Sequence, residues 1–167
     1  MFLEKVLFNK ESHTQIHKLG LQSHLVSLPF EVEDALYTTL FPEAIEGTLY
    51  SYNGSYVSES GLISGKGYWL RFPNAGDNMI TGTLITELTL FLSAGWNLIS
   101  GTSEVSTIID PSGIIIQGTL FGYNGAYYNA IELEPGEAYW VRANADGEIS
   151  IISTGNTTPV SESSKLK

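Results

Sequence analysis

The sequence contains no cysteine. That removes disulfides, thiolate nucleophiles and cysteine-ligated zinc or iron sites, and it leaves the redox compartment unread. Cationic residues are scarce: eight Lys and Arg stand against 18 Asp and Glu, for a net charge of −10. Nucleic-acid binding releases counterions through clustered cationic groups, and no basic stripe exists here to do so. Anionic lipid repels such a chain as well. Neither nucleic acid nor membrane insertion is expected, and the acidic charge reads as serving solubility. Charged residues of either sign make up only 16%, against roughly 25% in ordinary globular domains. No apolar run approaches the roughly 20 residues of a membrane helix. Glu4, Lys5, Asn9, Lys10 and Glu11 break the apolar residues between Met1 and Lys18, so no signal peptide is read there.

What the chain does hold is apolar and aromatic: 43% hydrophobic and 11% aromatic over 167 residues, enough for a core along most of the length. Its main feature is a duplication. Gly47-Thr-Leu-Tyr-Ser-Tyr-Asn-Gly-Ser-Tyr56 recurs 71 residues later as Gly118-Thr-Leu-Phe-Gly-Tyr-Asn-Gly-Ala-Tyr127. The same offset carries Gly65-Lys-Gly-Tyr-Trp-Leu-Arg71 onto Gly136-Glu-Ala-Tyr-Trp-Val-Arg142, and 12 of the 25 positions from Gly47 to Arg71 are identical. Upstream the offset becomes 73, with Leu25-Val26-Ser27 falling on Leu98-Ile99-Ser100. The two-residue difference belongs between Leu36 and Gly47, in a loop, where such changes are tolerated. A tandem repeat of this kind sets the organisation. Residues 1–18 form an N-terminal arm or extra strand, 19–83 the first β repeat, 84–91 a linking strand, 92–154 the second repeat, and 155–167 a flexible Ser/Thr-rich tail.

Each repeat reads as strands. His24–Leu28 and Trp96–Gly101 are short apolar runs. Val32/Ala35/Leu36 and Val105/Ile108/Ile109 have the i, i+3, i+4 spacing of a short helical turn, stopped by Pro42 and Pro111. Asn53-Gly54 and Asn124-Gly125 predict two-residue type I′ hairpins, because both residues accept positive φ. In the strands that follow, Tyr68 and Leu70 point one way and Trp69 and Arg71 the other, as do Tyr139/Val141 and Trp140/Arg142. Arg71 and Arg142 are expected over the indole of Trp69 and Trp140, two residues away on the same face. The fold class is therefore all-β: two tandem small β-sandwich or barrel-like repeats with short helical turns.

The order Leu92-Ser-Ala-Gly-Trp-Asn-Leu-Ile-Ser100, Tyr123-Asn-Gly-Ala-Tyr127 and Leu133-Glu-Pro-Gly-Glu-Ala-Tyr-Trp-Val141 resembles a β repeat of microbial surface and secreted proteins, also found in structural proteins of environmental phages. Its hallmarks are a Gly-Trp-Asn strand, an aromatic Asn/Asp-Gly hairpin and a Gly-x-Gly-Tyr-Trp strand. The second repeat departs from them at Ala138, which replaces the second Gly. The first has Gln22-Ser23-His24 where the second has Gly95-Trp96-Asn97. The resemblance implies a noncatalytic module and brings no catalytic residue with it.

Candidate chemistry is thin. His13 and His17 would share a helix face, a spacing that suits a metal. The repeat instead aligns them with an extended segment, where they lie about 13 Å apart, so no metal or cofactor is expected. Glu31, Glu33, Glu43, Glu132, Glu134 and Glu137 offer carboxylates for glycoside hydrolysis but sit in loops or at strand ends, as solvated groups do. Asp77-Asn78 and Asp146 beside Gly turns suit weak calcium binding, and Asx turns explain them equally. No enzyme is expected. The tyrosines carry more. Tyr50, Tyr52, Tyr56, Tyr123, Tyr127 and Tyr128 crowd the hairpins, where aromatics stack sugars, contact proteins or stabilise the hairpin itself.

The candidate interaction surface is Phe2, Leu3, Val6 and Phe8 of the arm together with Tyr52, Tyr56, Tyr123 and Tyr127. The leading functional expectation is a structural or assembly protein of a large particle, such as a phage head decoration, tail or fibre protein. It rests on the leaderless Met1 and the apolar arm, which would dock on itself or on other particle proteins. The alternative is an adhesive, glycan-binding module of a secreted microbial surface protein. Location follows: virion, or cell surface and extracellular space.

Overall fold

The computed structural model describes residues 13–19 and 23–155. Phe2, Leu3, Val6 and Phe8, and the tail beyond residue 155, lie outside the described residues. The first unit comprises β1 (His13–Leu19), β2 (Ser23–Ser27), β3 (Phe30–Glu31), α1 (Tyr37–Leu40), β4 (Tyr50–Tyr52), β5 (Tyr56–Ser58), β6 (Gly67–Arg71) and β7 (Gly76–Leu84). The second comprises β8 (Glu87–Leu92), β9 (Gly95–Ser100), β10 (Ser106–Ile109), β11 (Phe121–Tyr123), β12 (Tyr127–Asn129), β13 (Ala138–Ala143) and β14 (Gly147–Ser153). All strand pairs are antiparallel.

Both units are wired identically. The three-stranded sheets run β1-β7-β3 and β8-β14-β10, and the four-stranded sheets run β2-β6-β4-β5 and β9-β13-β11-β12. The protein is all-β, and of the two expected forms the sandwich is the one built, because the sheets stay separate and do not close into a barrel. Strand alternation explains why. In β6, Tyr68 and Leu70 turn towards Phe30 and Ile80 of the three-stranded sheet, while Gly67 and Trp69 face outward. In β13, Tyr139 and Val141 meet Leu92, Ile149 and Ile151 in the same manner. Tyr68 and Tyr139 are each 1% exposed. Their hydroxyls accept hydrogen bonds from the backbone N–H of Ile63 (2.8 Å) and Glu134 (2.9 Å), which satisfies the one polar atom each ring carries inward. Burial pushes the Tyr68 phenol up to about 12, against the pull of that hydrogen bond, and raises Tyr139 in the same way.

Several expectations are corrected. The segment 84–91 is not a connector: β8 pairs with β14 along its length and matches β1, so each unit begins upstream of the expected boundary. The connection shrinks to Ile85 and Thr86, pinned by hydrogen bonds from Ser103 N (2.9 Å), Ser153 N (2.9 Å) and to Ser103 Oγ (2.6 Å). The triplets at helical spacing form no helix. Val105 precedes a strand, because Ser106–Ile109 pairs with Ser150–Ser153. In the first unit the single helical turn falls after the triplet, at Tyr37–Leu40. Asp34 sets it there by accepting from Leu36 N (2.9 Å) and Thr39 Oγ1 (2.7 Å), which also lowers the Asp34 carboxyl. That turn occupies the segment carrying the two extra residues of the first repeat. The hairpins join the expected strands, but Tyr52 pairs with Tyr56 and Tyr123 with Tyr127, leaving three loop residues rather than two. Only the glycines, Gly54 (φ 79°) and Gly125 (φ 102°), adopt positive φ, and a type I′ turn needs it at the asparagines too.

Candidate functional site

The second face of each four-stranded sheet is as aromatic as the first, so the two sheets bury it against each other. Leu25, Leu98, Ala138 and Trp140 form the buried centre, flanked by Tyr52, Trp69, Phe121 and Tyr123. The contacts are reciprocal. Ser27 N donates to Gly136 O and Ser100 N to Gly65 O, both at 3.0 Å. Val26 bridges Glu137, and Lys66 bridges Ile99. Tyr52 of the first unit meets Trp140 of the second edge to face (4.9 Å, 78°), and Trp69 of the first meets Tyr123 of the second (5.1 Å, 72°). Residues i and j of one unit meeting j and i of the other is the signature of an isologous two-fold interface. The duplicated chain is a dimer folded into one polypeptide.

Close approach at this axis explains a departure from the repeat pattern. A Cβ on Gly67 would lie 2.6 Å from the Ala138 Cβ, 2.8 Å from Leu98 Cγ and 3.0 Å from Ile99 O. Gly67 and Ala138 are equivalent positions, so they face each other across the axis. One methyl fits there and two do not.

Two grooves open beside the axis, one per unit. The groove of the second unit has a volume of about 440 Å³ and is lined by Tyr52, Tyr56, Trp96, Phe121, Tyr127 and Trp140. That of the first unit is about 730 Å³, lined by Ser23, Tyr50, Tyr56, Trp69, Arg71 and Tyr123. Under the repeat, Ser23 corresponds to Trp96, Tyr50 to Phe121 and Trp69 to Trp140. Arg142 lies over Trp96, 6.0 Å from the ring centroid, and not over Trp140 as the sequence suggested. The reason is register: Arg142 and Trp96 are direct cross-strand partners, while Trp140 turns into the axis. Arg71 faces Ser23, so among the described residues no ring stands directly opposite it.

The four expected tyrosines converge here and divide into two pairs. Tyr52 and Tyr123 are half-buried against the opposite unit's Trp. Tyr56 and Tyr127 stack edge to face on them (5.5 and 5.1 Å) yet stay 57% and 56% exposed. Burial raises the Tyr127 phenol, while a hydrogen bond from the Trp140 side chain pulls it partly back. Trp69 Nε1, in contrast, is buried without an acceptor among the described residues. Trp96, Phe121, Trp140 and Arg71 were missed as site residues. Ser23 and Trp69 belong with them, and the mismatch of Gln22-Ser23-His24 with Gly95-Trp96-Asn97 was the signal for Ser23 and Trp96.

The other candidates lie apart. β1 is a strand, so His13 and His17 have no shared helix face, and His24 packs edge to face on Phe72 (5.8 Å). Among the described residues no three His, Asp or Glu gather as metal ligands do. Asn78, within β7, donates from Nδ2 to Leu40 O (3.0 Å), and Asp146 accepts from Ala94 N (2.7 Å); both bonds reach distant segments and neither is the expected Asx turn. Glu31, Glu43, Glu132 and Glu134 are exposed. Glu137, beside the axis, is raised to about 7 by burial and then by the nearby Glu134 charge. No family model, no curated protein and no solved structure matches this chain.

Proposed function

We propose that the protein is a noncatalytic adhesive module that binds glycan chains in the aromatic cleft between its two units, acting at a cell surface or on a virion. One observation carries the reading. Tyr56 and Tyr127 present more than half of their surface to solvent while their partners Tyr52 and Tyr123 and the two Trp hold them in place. Exposed aromatics on a rigid support cost little side-chain entropy on binding, and their apolar faces match the C–H faces of sugar rings. The resemblance to surface repeats supports the same reading. A particle protein such as a phage tail, fibre or decoration component was expected from the arm. The arm's Phe2, Leu3, Val6 and Phe8 lie outside the described residues, so the cleft leads.

Tyr56→Ala combined with Tyr127→Ala tests it on a panel of neutral and acidic polysaccharides. Both rings are exposed, so the variant is expected to fold while losing about tenfold or more in affinity. Absence of wild-type binding across the panel rejects the reading.

A further inference from the structure

We propose that the groove of the first unit recognises a carboxylate-bearing sugar, such as a hexuronic acid residue of an acidic polysaccharide, through the guanidinium of Arg71. The inference rests on the glycan-binding reading and names the class of glycan.

Its starting point is the broken symmetry between the grooves. At the end of β13, Arg142 spends its charge on the Trp96 ring. At the end of β6, Ser23 stands opposite Arg71 and offers no ring. Among the described residues the exposed Arg71 guanidinium has no hydrogen bond, ion pair or aromatic partner. It lines a groove whose other walls are Tyr50, Tyr56, Trp69 and Tyr123, together with Ser23, its partner across the strand pair. A volume of about 730 Å³ lies within the roughly 300–1,000 Å³ of small-ligand sites.

The chemistry selects the occupant. A guanidinium presents a planar fork that matches a carboxylate through two parallel hydrogen bonds. The Tyr and Trp walls take an apolar ring face. A neutral sugar would leave the cation unmatched, and an aliphatic acid would leave the aromatic walls unused. A uronic acid uses both. The net charge of −10 repels polyanions in general, so retention of an acidic polymer reports this one site rather than ion exchange.

Titration calorimetry of the full chain with oligogalacturonate, its methyl ester, a neutral polysaccharide and poly-L-glutamate tests the proposal. The free acid is expected to bind about 10- to 100-fold more tightly than the ester, the range of a charge-assisted hydrogen-bond pair. Arg71→Ala should lose the same factor with an unchanged fold. Lys66→Ala, which removes one exposed positive charge outside the groove, should not. Ser23→Trp should close the groove and abolish the preference. Equal binding of acid and ester, or acid binding that survives Arg71→Ala, overturns the inference and leaves the cleft reading intact. Preference for poly-L-glutamate overturns the sugar assignment. Failure of every polysaccharide, neutral included, takes down the cleft reading itself.

Discussion

The grooves of the two units descend from one sequence and flank one axis, yet Ser23 in the first and Trp96 in the second make them different surfaces. Below that surface the units agree. Tyr68 and Tyr139 are buried alike, their hydroxyls accept from equivalent loop N–H groups, and the strand order is the same. The comparison separates two kinds of position. Sites facing a unit's own core are held by packing and stay alike after duplication. Beside the axis the anchors Leu25/Leu98, Tyr52/Tyr123 and Trp69/Trp140 are kept, and divergence falls at two places where the facing neighbour is no longer an identical copy: Gly67 against Ala138, Ser23 against Trp96.

The largest test of that division is in the cores. Tyr68→Ala and Tyr139→Ala should each cost about 3–5 kcal/mol by denaturant unfolding. Similar losses confirm equivalent cores, whereas a loss under about 1 kcal/mol at either would show that unit to be built differently.

Next in size is Glu137, a carboxyl that the first unit lacks at the matching position, Lys66. Its folded pKa of about 7 lies above the ordinary 4.5. A raised carboxyl binds its proton more tightly when folded. That contribution is complete below about pH 4.5 and is lost as pH rises through about 7. Glu137→Gln should therefore stabilise the protein at pH 8 by about 3 kcal/mol at most and flatten the pH dependence of unfolding between those limits. An unchanged profile would remove Glu137 as its source.

Gly67→Ala addresses the axis. The second methyl should cost about 1–3 kcal/mol, and Ala138→Gly in the same chain should recover most of it. Two costs that simply add would mean the residues do not share one space. The smallest effect belongs to Trp96→Ser, which copies the first unit's groove into the second. It should cost about 1 kcal/mol, the scale of a half-exposed cation–π contact. It should also create a second acid-selective groove, read as two sites per chain in the same calorimetry.

Much of this was legible in the chain. The 71-residue offset, the Asn-Gly hairpins and the Tyr-Trp strands give the duplicated all-β fold, because alternation and turn chemistry are local properties. Local rules also misled where tertiary pairing prevailed. Val105/Ile108/Ile109 has helical spacing, yet β14 offered an open edge and drew Ser106–Ile109 into a sheet. Sequence spacing puts Arg142 over the Trp two residues away, whereas the register of β9 against β13 puts Trp96 directly opposite.

The candidate site divides the same way. Tyr52, Tyr56, Tyr123 and Tyr127 stood out in the sequence, because repetition makes aromatic hairpins conspicuous. Their separation into anchors and exposed contacts could not be read there, since it depends on which ring lies under the opposite unit. By itself the sequence determined two copies of one all-β unit, most of their strands and their inward faces. The tertiary structure alone decided that the outward faces bury each other about an approximate two-fold axis, and that Arg71 is left without a ring. Those facts depend on residues tens of positions apart in the chain meeting in space, and no local periodicity encodes such a meeting.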